Sequence, residues 1–184
     1  MNKKSGFTLA EVLVTLMIIG VIAAMTIPSL MQSTAQQEYK TALKKAISML
    51  NQAITMNYAL DGIDASDSDY TGTKVKDLLI KRLNVMSQDA SGFYTADGMY
   101  FKTSNATIGS GHTANACSNA SETIEDMNKV TNICSVVNVD VNGRKGPNRF
   151  SPDTGHVYDM YTLAIYPQKV LPDDDITAQV LYMK

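Results

Sequence analysis

Twenty-six consecutive residues, 12 to 37, carry no charged side chain. In a chain of 184 residues that is 18% charged, no other feature limits the fold as much. The stretch overlaps an apolar block in which 17 of the 24 residues from 7 to 30 are hydrophobic. About 20 apolar residues in a helix cross the roughly 30 Å hydrocarbon layer of a membrane. Residues 7–30 meet that length. Lys3 and Lys4 precede the block, and the positive-inside rule therefore keeps residues 1–6 cytoplasmic. Glu11 lies four residues inside the block, where a carboxylate costs several kcal/mol unless it is paired or near the interface. Pro28 removes one helical hydrogen bond and predicts a kink or bend near the membrane exit.

The rest of the chain narrows the function classes. About 150 residues follow the apolar block, enough for one compact domain. Setting aside Lys3, Lys4 and Glu11 leaves 14 basic and 17 acidic residues, so binding of nucleic acid through phosphate neutralisation is disfavoured. Two cysteines, Cys117 and Cys134, cannot make a disulfide-dense miniprotein or a four-cysteine zinc site. Two histidines, His112 and His156, cannot make a His-rich metal centre. Neither Ser110 nor Ser151 sits in a G-x-S-x-G elbow, and no G-x-x-x-x-G-K phosphate loop occurs. The expectation is a protein without catalysis.

Beyond the apolar block, Tyr39, Leu43, Ala46, Ile47, Leu50, Ile54 and Tyr58 recur at three- and four-residue steps. Met49 and Met56 belong to the same core-facing reading, and Asp61-Gly62 supplies a stop. The pattern predicts one helix over about residues 7–60, on the order of 80 Å at 1.5 Å per residue. A short amphipathic helix is expected at 74–84, carrying Val75, Leu78, Leu79 and Leu83. Strands follow: a hairpin at 92–94 and 99–101 turning through Asp97-Gly98, then strands at 135–141, 156–166 and 178–183. Residues 103–123 read as a long polar loop, and the Asp173-Asp174-Asp175 run as a solvated one with a smaller claim to metal contact. Helix first and antiparallel sheet after makes the fold α+β.

The residues GFTLAEVLV at 6–14 resemble the leader junction of type IV prepilins and type II secretion pseudopilins. In that family a short basic leader ends in Gly, here Gly6. A prepilin peptidase cleaves after it and methylates the new amine, here on Phe7. The family's carboxylate at the fifth mature position falls on Glu11, which is thought to pair with a neighbour's amine during assembly. The Gly and Pro of the family's membrane helix fall on Gly20 and Pro28. Ala10 departs from the bulkier aliphatic residue that is usual there. A plain alternative for Glu11 is that it complements the positive end of the helix.

The resemblance implies a pilin-like fold, a long N-terminal helix packed on an antiparallel head, divided as leader 1–6, membrane and assembly half 7–30, and head 31–184. It also implies an inner-membrane protein with a periplasmic head, taken into a pilus or a secretion pseudopilus. Its expected partners are its own or related subunits, the prepilin peptidase and the inner-membrane assembly platform. With the head in an oxidising compartment, Cys117 and Cys134 are expected to form a disulfide; two reduced thiols are the other reading. Some pseudopilins carry a C-terminal calcium loop, and Asp140, Asn142, Asp153 and Asp159 are candidate ligands here. The simpler reading of Asn142-Gly143 and Gly146-Pro147-Asn148 is a set of turn formers. The rival to the whole scheme is a signal peptide cut near Ala23 or Ala24, releasing a periplasmic binding domain or enzyme.

Overall fold

The computed structural model describes residues 6–67, 70, 74–103, 133–150 and 158–182. By its internal contacts the chain divides into two compact units, Met1–Gln37 and Glu38–Lys184. Helix α1, Leu9–Asp61, runs through the boundary and keeps its helical assignment across Pro28. Within the first unit none of the described side chains is buried.

The second unit is built around the later part of α1. Leu43, Ala46, Leu50, Ala53, Ile54 and Asn57 form its buried stripe. Tyr58 and Met56, expected in that stripe, are instead 49% and 42% exposed. The stripe steps from Leu50 through Ala53 to Asn57, and residues 56 and 58 flank it. Asn57 is tolerated at 0% exposure because it is fully engaged. Its Nδ2 donates to the Leu78 carbonyl at 2.9 Å, and Arg82 Nε donates to its Oδ1 at 3.2 Å. Gly62 ends the helix with φ +68° while its N–H donates to the Tyr58 carbonyl. That left-handed stop suits glycine, which has no Cβ to clash.

Helix α2, Val75–Ile80, buries Val75, Leu78 and Leu79. It stops earlier than the expected residue 84. The amides of Arg82 and Leu83 both turn back to the Leu79 carbonyl, and the chain then enters an unforeseen strand, β1, Val85–Gln88. Its partner β2 is Gly92–Thr95. Strands β3, Tyr100–Lys102, β4, Ser135–Asp140, β5, Met160–Ile165, and β6, Val170–Pro172, complete one sheet. All neighbours are antiparallel, and the spatial order is β1-β2-β3-β4-β5-β6.

Register places one hydrophobic set against α1. Phe93 pairs with Phe101, Phe101 with Val139, and Val139 with Tyr161. The rings of Phe93 and Phe101 stack with centroids 5.2 Å apart. Gly92 is required where it stands, because a Cβ there would lie 2.0 Å from the Phe101 carbonyl oxygen. Ile133, Val136, Ala164 and Tyr166 form a separate, smaller buried cluster. Strand β4 is consequently buried at all six positions, which explains its run of valines. The edge strand β6 is clasped by Asn51 of α1. Val170 N–H donates to Asn51 Oδ1 at 2.8 Å and the Asn51 amide reaches back to the Val170 carbonyl.

The last element corrects an expectation: residues 178–183 do not extend as a strand, because helix α3 covers Asp175–Tyr182. The acidic run supplies its start. The Asp174 carboxylate accepts the Thr177 N–H and hydroxyl, a helix N-cap, and Asp175 sits in the first turn. These aspartates thus have a helix-starting role. With its long N-terminal helix and antiparallel sheet, the molecule has the α+β pilin-like arrangement.

Candidate functional site

The first unit begins with a hydrogen-bonded pair, Thr8 and Glu11, that was not expected from the sequence. Thr8 N–H donates to Glu11 Oε2 at 2.8 Å, and the Thr8 hydroxyl donates to the same oxygen at 2.8 Å. Glu11 N–H returns to Thr8 Oγ1 at 3.3 Å. This reciprocal capping box satisfies amides that a helix start otherwise leaves without partners. Its signal was present as T-x-x-E just before an apolar run. Phe7 precedes it, 89% exposed.

Downstream, the helix shows apolar side chains on every side. Leu13, Leu16, Ile18, Ile19, Ile22 and Ile27 are all more than half exposed. Around Gly20 nothing lies within 4 Å of where a Cβ would be. The polar side chains of this stretch turn inward on the helix backbone. Thr15 donates to the Val12 carbonyl, Thr26 to Ile22, and Ser33 and Thr34 both to Leu30. Hydroxyls satisfied this way cost little in an apolar medium. Among the described residues this is the one helix long and apolar enough to cross a membrane.

In the head, Cys134 is buried and disulfide-bonded. Cys117 lies outside the described residues, as do His112, His156, Ser110, Ser151 and Asp153. Asp140 and Asp159, both buried, lie close enough for their charges to interact where β4 and β5 meet the loop between them. Burial, and then the neighbouring Asp159 charge, push the Asp140 carboxyl up to about 6. Asp159 is occupied by backbone: it accepts the Asn148 and Arg149 amides at 3.0 and 2.9 Å. Asn142 donates to the Gly146 carbonyl and to the Tyr39 hydroxyl of α1. Three of the four candidate ligands are therefore neighbours in one turn-forming corner. Among the described residues no group of three or more His, Cys, Asp or Glu side chains is placed to hold a metal ion.

A surface cluster on β2 and β3 was also unforeseen. Asp89 accepts the Ser91 and Gly92 amides at 2.8 Å each and the Tyr100 hydroxyl at 3.2 Å. Arg144 adds an ion pair at 3.3 Å and lies over the rings of Tyr94 and Tyr100. The Ser91 amide, with smaller help from Gly92, Tyr100 and Arg144, holds the Asp89 carboxyl below its ordinary value despite partial desolvation. The sequence hides this cluster because its members come from four separate segments.

Compared with known families, residues 1–27 match the prokaryotic N-terminal methylation motif. No curated protein and no solved structure matches the chain. What the chain carries at its N-terminus, on a long apolar helix, is the methylation motif characteristic of type IV pilins and pseudopilins.

Proposed function

We propose that the protein is a structural subunit of a type IV pilus-like filament or type II secretion pseudopilus. Prepilin peptidase cleaves it between Gly6 and Phe7 and methylates the Phe7 amine. The subunit waits in the inner membrane with its head in the periplasm, then joins the filament through helix–helix packing at the assembly platform. The observation that carries this reading is the methylation motif on residues 1–27. It is supported by the apolar helix behind it, whose side chains this chain leaves uncovered. Glu11 pairs with the amine of a neighbouring subunit, since two opposite charges in an apolar setting are each costly alone. Pro28 lets the helix adjust as it packs.

Mass spectrometry of the mature protein tests the processing step. N-methyl-Phe7 at the N-terminus is the expected result; a start at residue 24 or 25 would return the chain to the signal-peptide rival. For assembly, Glu11→Ala should be cleaved normally yet reach sheared filaments in much smaller amount. Normal incorporation would remove Glu11 from the mechanism. We further assign Cys117 as the disulfide partner of Cys134, to be read from a non-reduced peptide map. A calcium ion at Asp140, Asn142, Asp153 and Asp159 is proposed on family likeness and on the closeness of Asp140 and Asp159. A head whose melting is indifferent to chelator has no such ion.

A further inference from the structure

We infer that Thr8 is a positioning residue for Glu11, anchoring one carboxylate oxygen and leaving the other to meet the neighbouring subunit's amine. The inference rests on the assembly role proposed above. Both Thr8 donors converge on Glu11 Oε2, each at 2.8 Å, while Oε1 takes no hydrogen bond from the described residues. A carboxylate offers about four acceptor positions over its two oxygens, so the anchored side does not saturate it. The Glu11 N–H to Thr8 Oγ1 bond closes the ring from the other direction. With both ends tied, the side chain is held folded back over the helix start, and among the described residues Oε1 is left for an incoming cation.

Every atom of this ring lies after the bond between Gly6 and Phe7, so cleavage leaves it intact. A processed subunit waiting in the bilayer therefore keeps its charge hydrogen-bonded where an unsatisfied carboxylate would be costly. It also presents that charge in one orientation, so less side-chain freedom is lost when the partner arrives. The Thr8 amide and hydroxyl share this work, and the hydroxyl is the part that a substitution can remove.

The test uses the full chain in a strain that assembles it, comparing Thr8→Val, Thr8→Ser and Thr8→Asp for N-terminal mass and for the amount in sheared filaments. Thr8→Val keeps the shape and removes the hydroxyl. Its cleavage and Phe7 methylation should be unchanged, with incorporation down roughly tenfold, the order of one hydrogen bond to a charged group. Thr8→Ser should restore assembly. Thr8→Asp is the decisive variant: Asp caps a helix at least as well as Thr, yet sets a second carboxylate against Glu11. It should assemble as poorly as Thr8→Val. Rescue by Thr8→Asp would show that the residue only starts the helix, and the inference would be overturned. Wild-type incorporation of Thr8→Val would overturn it as well, and so would a block of cleavage, which would assign Thr8 to peptidase recognition. If Glu11→Ala itself assembles normally, the failure lies with the assembly reading; if Glu11→Ala is defective while Thr8→Val is normal, only the present inference falls.

Discussion

Two stretches of the same helix treat the same residue types in opposite ways. Leu16 and Ile19 in the first unit are 61% and 62% exposed, while Leu50 and Ile54 in the second are 0% exposed. Fully burying such a side chain is worth about 1.5–3 kcal/mol, so in water the first stretch would be a standing liability. The second is held by its own sheet. The difference shows where each part can find its stability within this chain: the head against its own sheet, the N-terminal stretch on no other described element. Polar residues follow the same division. Thr15, Thr26, Ser33 and Thr34 satisfy themselves on their own helix, whereas Asn57 reaches across to Leu78 and Asn51, besides donating to the Ile47 carbonyl, reaches across to Val170.

The contrast can be attacked at its strongest point first. Phe101→Ala should cost the head about 3–5 kcal/mol, because it empties half of a stacked pair in the core. Ile19→Ala should leave head melting unchanged. With no Trp and nine Tyr in the chain, tyrosine fluorescence in detergent can follow both. A comparable loss from Ile19→Ala would erase the distinction between the two stretches.

Reduction of the Cys134 disulfide comes next. If Cys117 is the partner, the closed loop has 18 residues and its opening should cost roughly 3 kcal/mol. A denaturant midpoint that is unaffected by reductant would argue against that pairing. Asn57→Ala should be worth about 2 kcal/mol, since it strands the Leu78 carbonyl and takes away the partner of Arg82 Nε, while Arg82 keeps its ion pair with Asp61. A measured cost near zero would mean that water replaces the amide, and that this part of the head core is wetter than its burial implies.

The smallest effect is a pH slope. Asp140 titrates at about 6 in the fold against an ordinary 3.8, so the folded head binds that proton more tightly than the unfolded chain. Its contribution therefore weakens the head as pH rises from about 4 to about 6 and is level above that. In the presence of chelator, Asp140→Asn should flatten this part of the melting-temperature profile. An unchanged slope would assign it to another carboxylate.

What the sequence disclosed depended on how local the determinant was. The long helix, the 92–102 hairpin and strand β4 follow from periodicity and turn chemistry that neighbours in the chain supply. Strand β1 did not announce itself because Val85–Gln88 is mostly exposed and owes its extension to pairing with β2. Residues 178–183 read as a strand because six mostly apolar residues carry no clear period; the Asp174 cap makes 178–182 part of helix α3. Glu11 stood out in the sequence as a carboxylate inside an apolar block, but its hydrogen-bond partner Thr8 did not, although the capping-box spacing stood in plain view. The Asp89–Tyr100–Arg144 cluster was out of reach, since only register brings those segments together.

Strand order in the head equals chain order, β1 through β6, with each strand laid antiparallel on the one before. Among the described strands, a chain made from its N-terminus adds each new one to an edge that already exists, and none has to insert between two others. The growing edge is always the most recent one, and it stays open for pairing until β6 arrives and Asn51, already in place on α1, clasps it. The head can thus be completed in the order in which it is synthesised, and the residue that closes it is made some 119 positions before the strand it closes.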